Sequence, residues 1–198
     1  MTGTSIAIFA SGSGTNALKL IEYFNDESSA RIALVISNRK KAGVLQIAQS
    51  HRIPTLVIDR EYFYHSPALL KELGDRQIDF IILAGFLWLI PEYLLKAYPK
   101  KIVNIHPALL PKYGGKGMYG MNVHQAVWAA GEKESGITIH YVNERYDEGD
   151  IIFQAACQLN PNDNPDSIRN KVQALEHRYF PSVVLKLIQN KEINSLYP

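Results

Sequence analysis

Four short, almost wholly apolar runs, Ser5–Ala10, Arg31–Ser37, Thr55–Ile58 and Phe80–Ala84, alternate with stretches of helical spacing, and this rhythm constrains the fold more than any other feature. A strand with apolar side chains on both faces has to be covered on both, as in a parallel sheet held between two helical layers. Helices are expected over Thr15–Phe24, from about Ala42 to Ser50 and over Pro67–Asp75. Right-handed crossovers then wind the chain both ways from the centre of the sheet.

After residue 100 the rhythm changes. Lys101–Ile105 reads as a fifth strand, residues 107–121 as a long loop with glycines at 114, 115, 117 and 120, and Val123–Ala130 as a helix stopped by Gly131. Ile137–Asn143 and Ile151–Gln158 are two more strands; their short connection through Tyr146–Asp150 suits an antiparallel pair. Ile168, Val172, Leu175 and Tyr179 recur at helical spacing within Pro165–Ile188, with Pro181 as the place for a kink. The expected fold is therefore α/β. It is an open, mostly parallel seven-stranded twisted sheet with helices on both faces, Rossmann-like in its N-terminal half and with antiparallel pairing in its C-terminal half.

The 198 residues, 46% hydrophobic and 20% charged, suit one globular domain. A net charge of +2 from 21 basic and 19 acidic residues speaks against a broad nucleic-acid surface. The longest apolar run, Phe80–Ile90, contains Gly85 and stops at Pro91, short of the ~20 residues that cross a bilayer. The N-terminus shows no signal-peptide pattern before the first strand, so a cytoplasmic protein is expected, with no nucleic-acid or membrane partner. Cys157 is the single cysteine, set in an apolar strand, which fits a structural thiol.

Gly12-Ser13-Gly14-Thr15-Asn16-Ala17 joins the first strand to its helix in a Gly-x-Gly-x-x-Ala pattern. Glycines let a ligand approach the backbone, and the helix N-terminus favours an anion. A dinucleotide would want an acidic residue after the second strand, where the chain has Ser37-Asn38-Arg39-Lys40. An arginine reading the 2′-phosphate of NADP is one alternative and a tight turn without ligand another; a phosphate monoester fits better.

The chemistry concentrates in Asn104-Ile105-His106-Pro107-Ala108-Leu109-Leu110-Pro111. Alternate residues of a strand face one way, so Asn104 and His106 project together, and Pro107 places them where the chain leaves the sheet. A carboxamide donor beside an imidazole suits a developing oxyanion. In Tyr146-Asp147-Glu148-Gly149-Asp150, Glu148 and Asp150 read as a solvated turn. His124 opens a helix and reads as a capping or surface residue. The six histidines form no metal-binding spacing, and no metal is expected.

Taken in order, the Gly-rich turn, Gly85-Phe86, the Asn104–Pro111 segment, Ser135–His140 and the Asp147-x-Gly149 loop resemble the formyltetrahydrofolate-dependent formyltransferases over nearly the whole chain. Length, with Gln173 and Glu176 three apart on the last helix, points within them to the branch acting on 5′-phosphoribosylglycinamide (GAR), the third step of de novo purine synthesis. The resemblance implies that 10-formyltetrahydrofolate is the co-substrate, with no NAD(P), and that Asp147 completes a triad with Asn104 and His106. Asn104 then donates to the oxyanion. His106, cationic or sharing a proton with Asp147, stabilises the same charge, and Asp147 relays the amine's proton. Gly14, Thr15 and Asn16 would hold the substrate phosphate, with Gln173 and Glu176 at the ribose and phosphate end. Phe86, Trp88, Leu89, Ile90 and Asn104 would bind the folate, and His140 would support the triad.

Two departures from the family pattern stand out. Trp88 replaces an arginine common after Gly-Phe-Met, offering a stacking surface in place of a charge, and the glycine-rich loop over residues 112–121 is longer than usual and looks mobile. The implied layout is a single domain, residues 1–100 binding phosphate or nucleotide and residues 101–198 carrying catalysis and folate, as a monomer or homodimer. An amino-sugar formyltransferase is the nearest rival, and an NADP-binding oxidoreductase or nucleotide-sensing module the rival of another class.

Overall fold

The computed structural model describes residues 3–193. Its elements run β1 (Thr4–Phe9), α1 (Thr15–Asn25), β2 (Ala30–Ser37), α2 (Gly43–Ser50), β3 (Thr55–Val57), α3 (Arg60–Tyr64), α4 (Ala68–Asp75), β4 (Phe80–Leu83), α5 (Glu92–Ala97), β5 (Ile102–His106), α6 (Met121–Ala129), β6 (Glu134–Tyr141), β7 (Ile151–Gln158) and α7 (Pro165–Ile188). The strands form one seven-stranded sheet in the order β3-β2-β1-β4-β5-β6-β7. Pairing is parallel for β1 with β2 and β4, and for β2 with β3, and antiparallel for β6 with β7. The mostly parallel α/β sheet inferred from the apolar runs is the one observed. Chain contacts divide it into two compact units, one ending at Val103 and the other beginning at Asn104.

In the first unit, Ile6, Ala7, Ile8 and Phe9 are all inaccessible to solvent, which is why β1 reads as an unbroken apolar run. From β1 the chain winds outward through β2 to β3, then returns to build β4 on the other side of β1. The crossovers leave in opposite directions there, which makes the carboxyl ends of β1 and β4 the usual ligand position in such sheets. The segments leaving those ends are residues 10–14 and 84–90. They are tied together by Ser11 N–H donating to Gly85 O (3.0 Å) and Leu87 N–H donating to Ser11 Oγ (3.0 Å).

Two short helices are absent from the sequence expectation. α3 is a single turn of Arg-Glu-Tyr-Phe-Tyr, whose aromatic residues suggest a strand; it is helical because the Asp59 carboxylate accepts from Tyr62 N–H at 2.8 Å and the Phe63 ring is buried. α5 follows Pro91, read only as the end of an apolar run, and carries a Glu92–Lys96 pair at 2.7 Å.

In the second unit β6 starts at Glu134, earlier than its apolar residues indicate, because Glu134 and Ser135 pair with Gln158 and Cys157. α7 opens with a capping box between Asn164 and Ser167. It buries Ile168 and Val172 as expected, then Phe180, Pro181, Val183 and Val184, whereas Leu175 and Tyr179 are only half-buried. The buried face therefore turns around the helix between Val172 and Phe180. Among the described residues no helix is long and apolar enough to cross a membrane.

Candidate active site

The polar residues of the second unit converge around one carboxylate. β5 delivers Asn104 and His106, β6 delivers His140, and the β6–β7 connection delivers Asp147, half-buried in a left-handed backbone conformation (φ 58°) that Asp tolerates better than most residues. Asp147 Oδ2 accepts from the Gly115 amide at 2.9 Å and lies 3.5 Å from His106 Nδ1. Asp147 Oδ1 lies 3.5 Å from Asn104 Nδ2 and 3.7 Å from His140 Nε2.

Backbone carbonyls determine the tautomers, since a carbonyl only accepts. His106 Nε2 sits 2.8 Å from Tyr113 O and so carries a proton, which leaves Nδ1 facing Asp147. His140 Nδ1 sits 2.8 Å from Tyr141 O and carries its proton there, so neutral Nε2 accepts from Asn104 Nδ2 at 3.1 Å. The carboxamide's oxygen is thereby turned away from His140. His140 thus contacts Asn104 directly and stands 3.7 Å from Asp147.

Electrostatics sharpen the choice between the two states considered for His106. Burial pushes its pKa down, outweighing the Asp147 charge and the Tyr113 carbonyl, which raise it. A resting cation is disfavoured, and the neutral imidazole presents its unprotonated Nδ1 to Asp147. Burial pushes the Asp147 carboxyl up, but the imidazoles of His140 and His106 and the Gly115 amide outweigh it, holding it below the ordinary carboxylate range. Glu148 pairs with Arg145 at 3.1 Å and Asp150 is exposed, the solvated turn expected of them.

Gly149 is dictated by the same turn. A Cβ there would stand 1.7 Å from Tyr141 O, the carbonyl that receives His140 Nδ1–H. Gly149→Ala is therefore expected to force the Asp147 loop off β6, lowering the melting temperature and abolishing activity. A variant with wild-type melting and turnover would contradict that account.

His124 departs from expectation. It is 4% exposed on α6, no cap, and its Nδ1 has no hydrogen-bond partner among the described residues. Burial, then the charges of Arg169 and His106, push its pKa from 6.5 to about 4. The unfolded chain therefore takes up this proton first as pH falls. Stability contributed by neutral His124 is whole above pH 6.5 and is lost between pH 6.5 and about 4. Melting temperature should fall through that window, and less steeply in His124→Leu; equal slopes would remove His124 as the cause.

In the first unit, Gly14 caps α1 in a left-handed conformation (φ 86°), and Thr15 and Asn16 form the first turn. Phe86 and Ile90 are buried, and Trp88 and Leu89 are half-exposed. Phe86 packs edge-on against Phe9 and Phe63, while the Trp88 ring lies among Phe63, Tyr64 and Phe86 with the Arg60 guanidinium 5.3 Å above it. Phe86 and Ile90 thus have mainly backbone to offer a ligand. Gln173 and Glu176 lie half-buried on α7. Cys157 is half-buried and burial raises its pKa, so it is no activated nucleophile. The described residues contain no cluster of three or more His, Cys, Asp or Glu able to hold a metal ion.

Sequence reasoning missed the backbone contributors. Tyr113 O and Gly115 N make the shortest contacts given above for His106 and Asp147, yet main-chain groups leave no signature in residue type. The loop that carries them is fastened over its first half: Tyr113 Oη donates to Glu132 (2.8 Å), which also pairs with Lys112 (2.9 Å).

An amide, an imidazole and a carboxylate gathered at the end of β5 are groups able to stabilise charge developing at a carbonyl carbon. The chain belongs to the formyl transferase family, whose pattern matches residues 4–184. It is 41% identical to the chloroplastic phosphoribosylglycinamide formyltransferase of Arabidopsis thaliana, over 94% of this chain and 71% of that one. It is 34% identical to the phosphoribosylglycinamide formyltransferase of Bacillus subtilis, over 92% and 93% of the two chains. The crystal structure of phosphoribosylglycinamide formyltransferase from Anaplasma phagocytophilum superposes with a TM-score of 0.85 at 36% identity, covering 94% of this chain and 87% of that one. Family membership makes the chain a formyltransferase and implies a folate-derived formyl donor.

Proposed function

We propose that the chain transfers the formyl group of 10-formyltetrahydrofolate to the glycinamide amine of 5′-phosphoribosylglycinamide, in de novo purine biosynthesis. The observation that carries this reading is the meeting of Asn104, His106 and Asp147 around one carboxylate, in a chain whose relatives bear the name of that activity. Asn104 donates an N–H to the oxygen that becomes negative when the amine attacks the formyl carbon. Its 3.5 Å contact with Asp147 is long, so that N–H is the one available to redirect. Asp147, ionised at neutral pH, takes up the proton shed by the attacking amine through water and passes it within the His106 pair. His106, charged by that proton, stabilises the oxyanion and protonates the departing folate nitrogen. No covalent enzyme intermediate is required.

We assign the substrate phosphate to Gly14, Thr15 and Asn16, where the first-turn amides and dipole of an eleven-residue helix favour an anion. Gln173 and Glu176 serve the ribose and phosphate end. The folate falls to Phe86, Trp88, Leu89 and Ile90 and to Asn104. The layout remains a single domain with a phosphate-binding first half and a catalytic second half, cytoplasmic, a monomer or homodimer, working on small molecules without metal or NAD(P). Inorganic phosphate soaked into crystals should occupy the α1 N-terminus; density for it elsewhere only would withdraw that assignment.

The deciding experiment mixes the purified chain with 10-formyltetrahydrofolate and GAR and follows formylated product by mass. Formylation of a nucleotide-linked amino sugar in place of GAR, or stabilisation by NADPH alone, would overturn the reading.

A further inference from the structure

Thr138 is wholly buried on β6, and its hydroxyl is saturated. It donates to Ala108 O (2.7 Å) and accepts from Leu110 N–H (3.0 Å) and from Gln154 Nε2 (2.9 Å). Gln154 Nε2 also donates to Leu110 O at 3.0 Å. One hydroxyl has one proton and two lone pairs, so nothing is left over. The segment it holds lies between Pro107 and Pro111, which lack N–H groups and cannot join the sheet ladder. Two side chains thus stand in for the pairing that a strand would supply.

What hangs from the held segment is the pair of backbone groups that meets the catalytic residues. Tyr113 O receives His106 Nε2–H at 2.8 Å and Gly115 N–H reaches Asp147 Oδ2 at 2.9 Å, both shorter than the 3.5 Å between His106 and Asp147 themselves. The placement of the pair is therefore governed more by the loop than by mutual attraction. Packing transmits the constraint as well: a Cβ on Gly114 would lie 2.6 Å from Leu110 Cδ2 and 3.3 Å from Asp147 Cβ, so Leu110 and the Asp147 side chain close on Gly114 together.

We propose that Thr138 is a positioning residue for formyl transfer, its hydroxyl holding Ala108 and Leu110 so that the loop presents Tyr113 O to His106 and Gly115 N–H to Asp147. This rests on the roles given to His106 and Asp147 under the proposed function. Thr138→Val keeps shape and volume but removes the hydroxyl, and Thr138→Ser restores it. Valine should lower kcat ~10²-fold, the scale of a misplacement of about 1 Å, with KM for both substrates little changed. It should also raise the His106 titration midpoint, followed by NMR of the imidazole, as the loosened ring gains water. Serine should return both to near wild type.

Unchanged kcat and titration in the valine variant, or a serine variant as impaired as valine, would overturn the proposal. Should the valine variant not fold, Gln154→Met, which removes one of the two fasteners, should move both readouts the same way to a smaller extent, and no movement would count against the proposal. If wild type forms no formylated product the function falls, while the His106 titration still decides whether Thr138 positions the ring.

Discussion

Replacing Asp147 with Asn is expected to cut turnover by ~10²–10⁴-fold, the range for loss of a positioned proton-transfer group, while leaving the fold intact. The carboxylate sits on a connection and not in the core, so no apolar packing is lost. Its hydrogen bond from Gly115 can be kept by the amide oxygen, which preserves the loop. What disappears is the negative charge that opposes the effect of burial on His106. With that charge gone, His106 should titrate lower still, and the pair can no longer carry the amine's proton. A steady-state assay with a matched melting curve checks this: near-normal turnover in a folded Asp147→Asn enzyme would sink the division of labour, though not family membership.

Asn104→Ala is expected to lower kcat ~10²–10³-fold, the usual consequence of losing one oxyanion donor, with a smaller change in KM. The side chain is half-buried, so truncation costs little in packing, but it strips His140 Nε2 of its donor. His140 would then be free to move its proton to Nε2 and donate to Asp147 Oδ1, now 3.7 Å away, competing for the carboxylate. A double variant of Asn104→Ala with His140→Asn should therefore be less impaired than the product of the two single effects. Strict multiplication would show that the two side chains act independently.

The sheet was legible because its central strands are buried on both faces, and burial of that kind leaves unbroken apolar runs such as Ile6–Phe9. Asn104 and His106 were legible through strand alternation and the proline that follows them. Asp147 was not: nothing in a run of three carboxylates within four positions distinguishes it from Glu148 and Asp150, and only the family resemblance singled it out. The difference is physical and appears in three dimensions, where Asp147 turns inward on a left-handed backbone while its neighbours face water. α3 was hidden because a single turn offers no periodicity, and His124 because a helix-opening histidine looks alike whether or not another helix covers it.

Any single-base missense change in a glycine codon installs an atom where Gly149 has none, and that atom would lie within bonding distance of the Tyr141 carbonyl. The position therefore has no conservative neighbour in the genetic code, whereas Asp147 beside it can at least become Asn by one base and keep its shape. Across natural variants of this chain, residue 149 should be the more invariant of the two, although it carries no functional group.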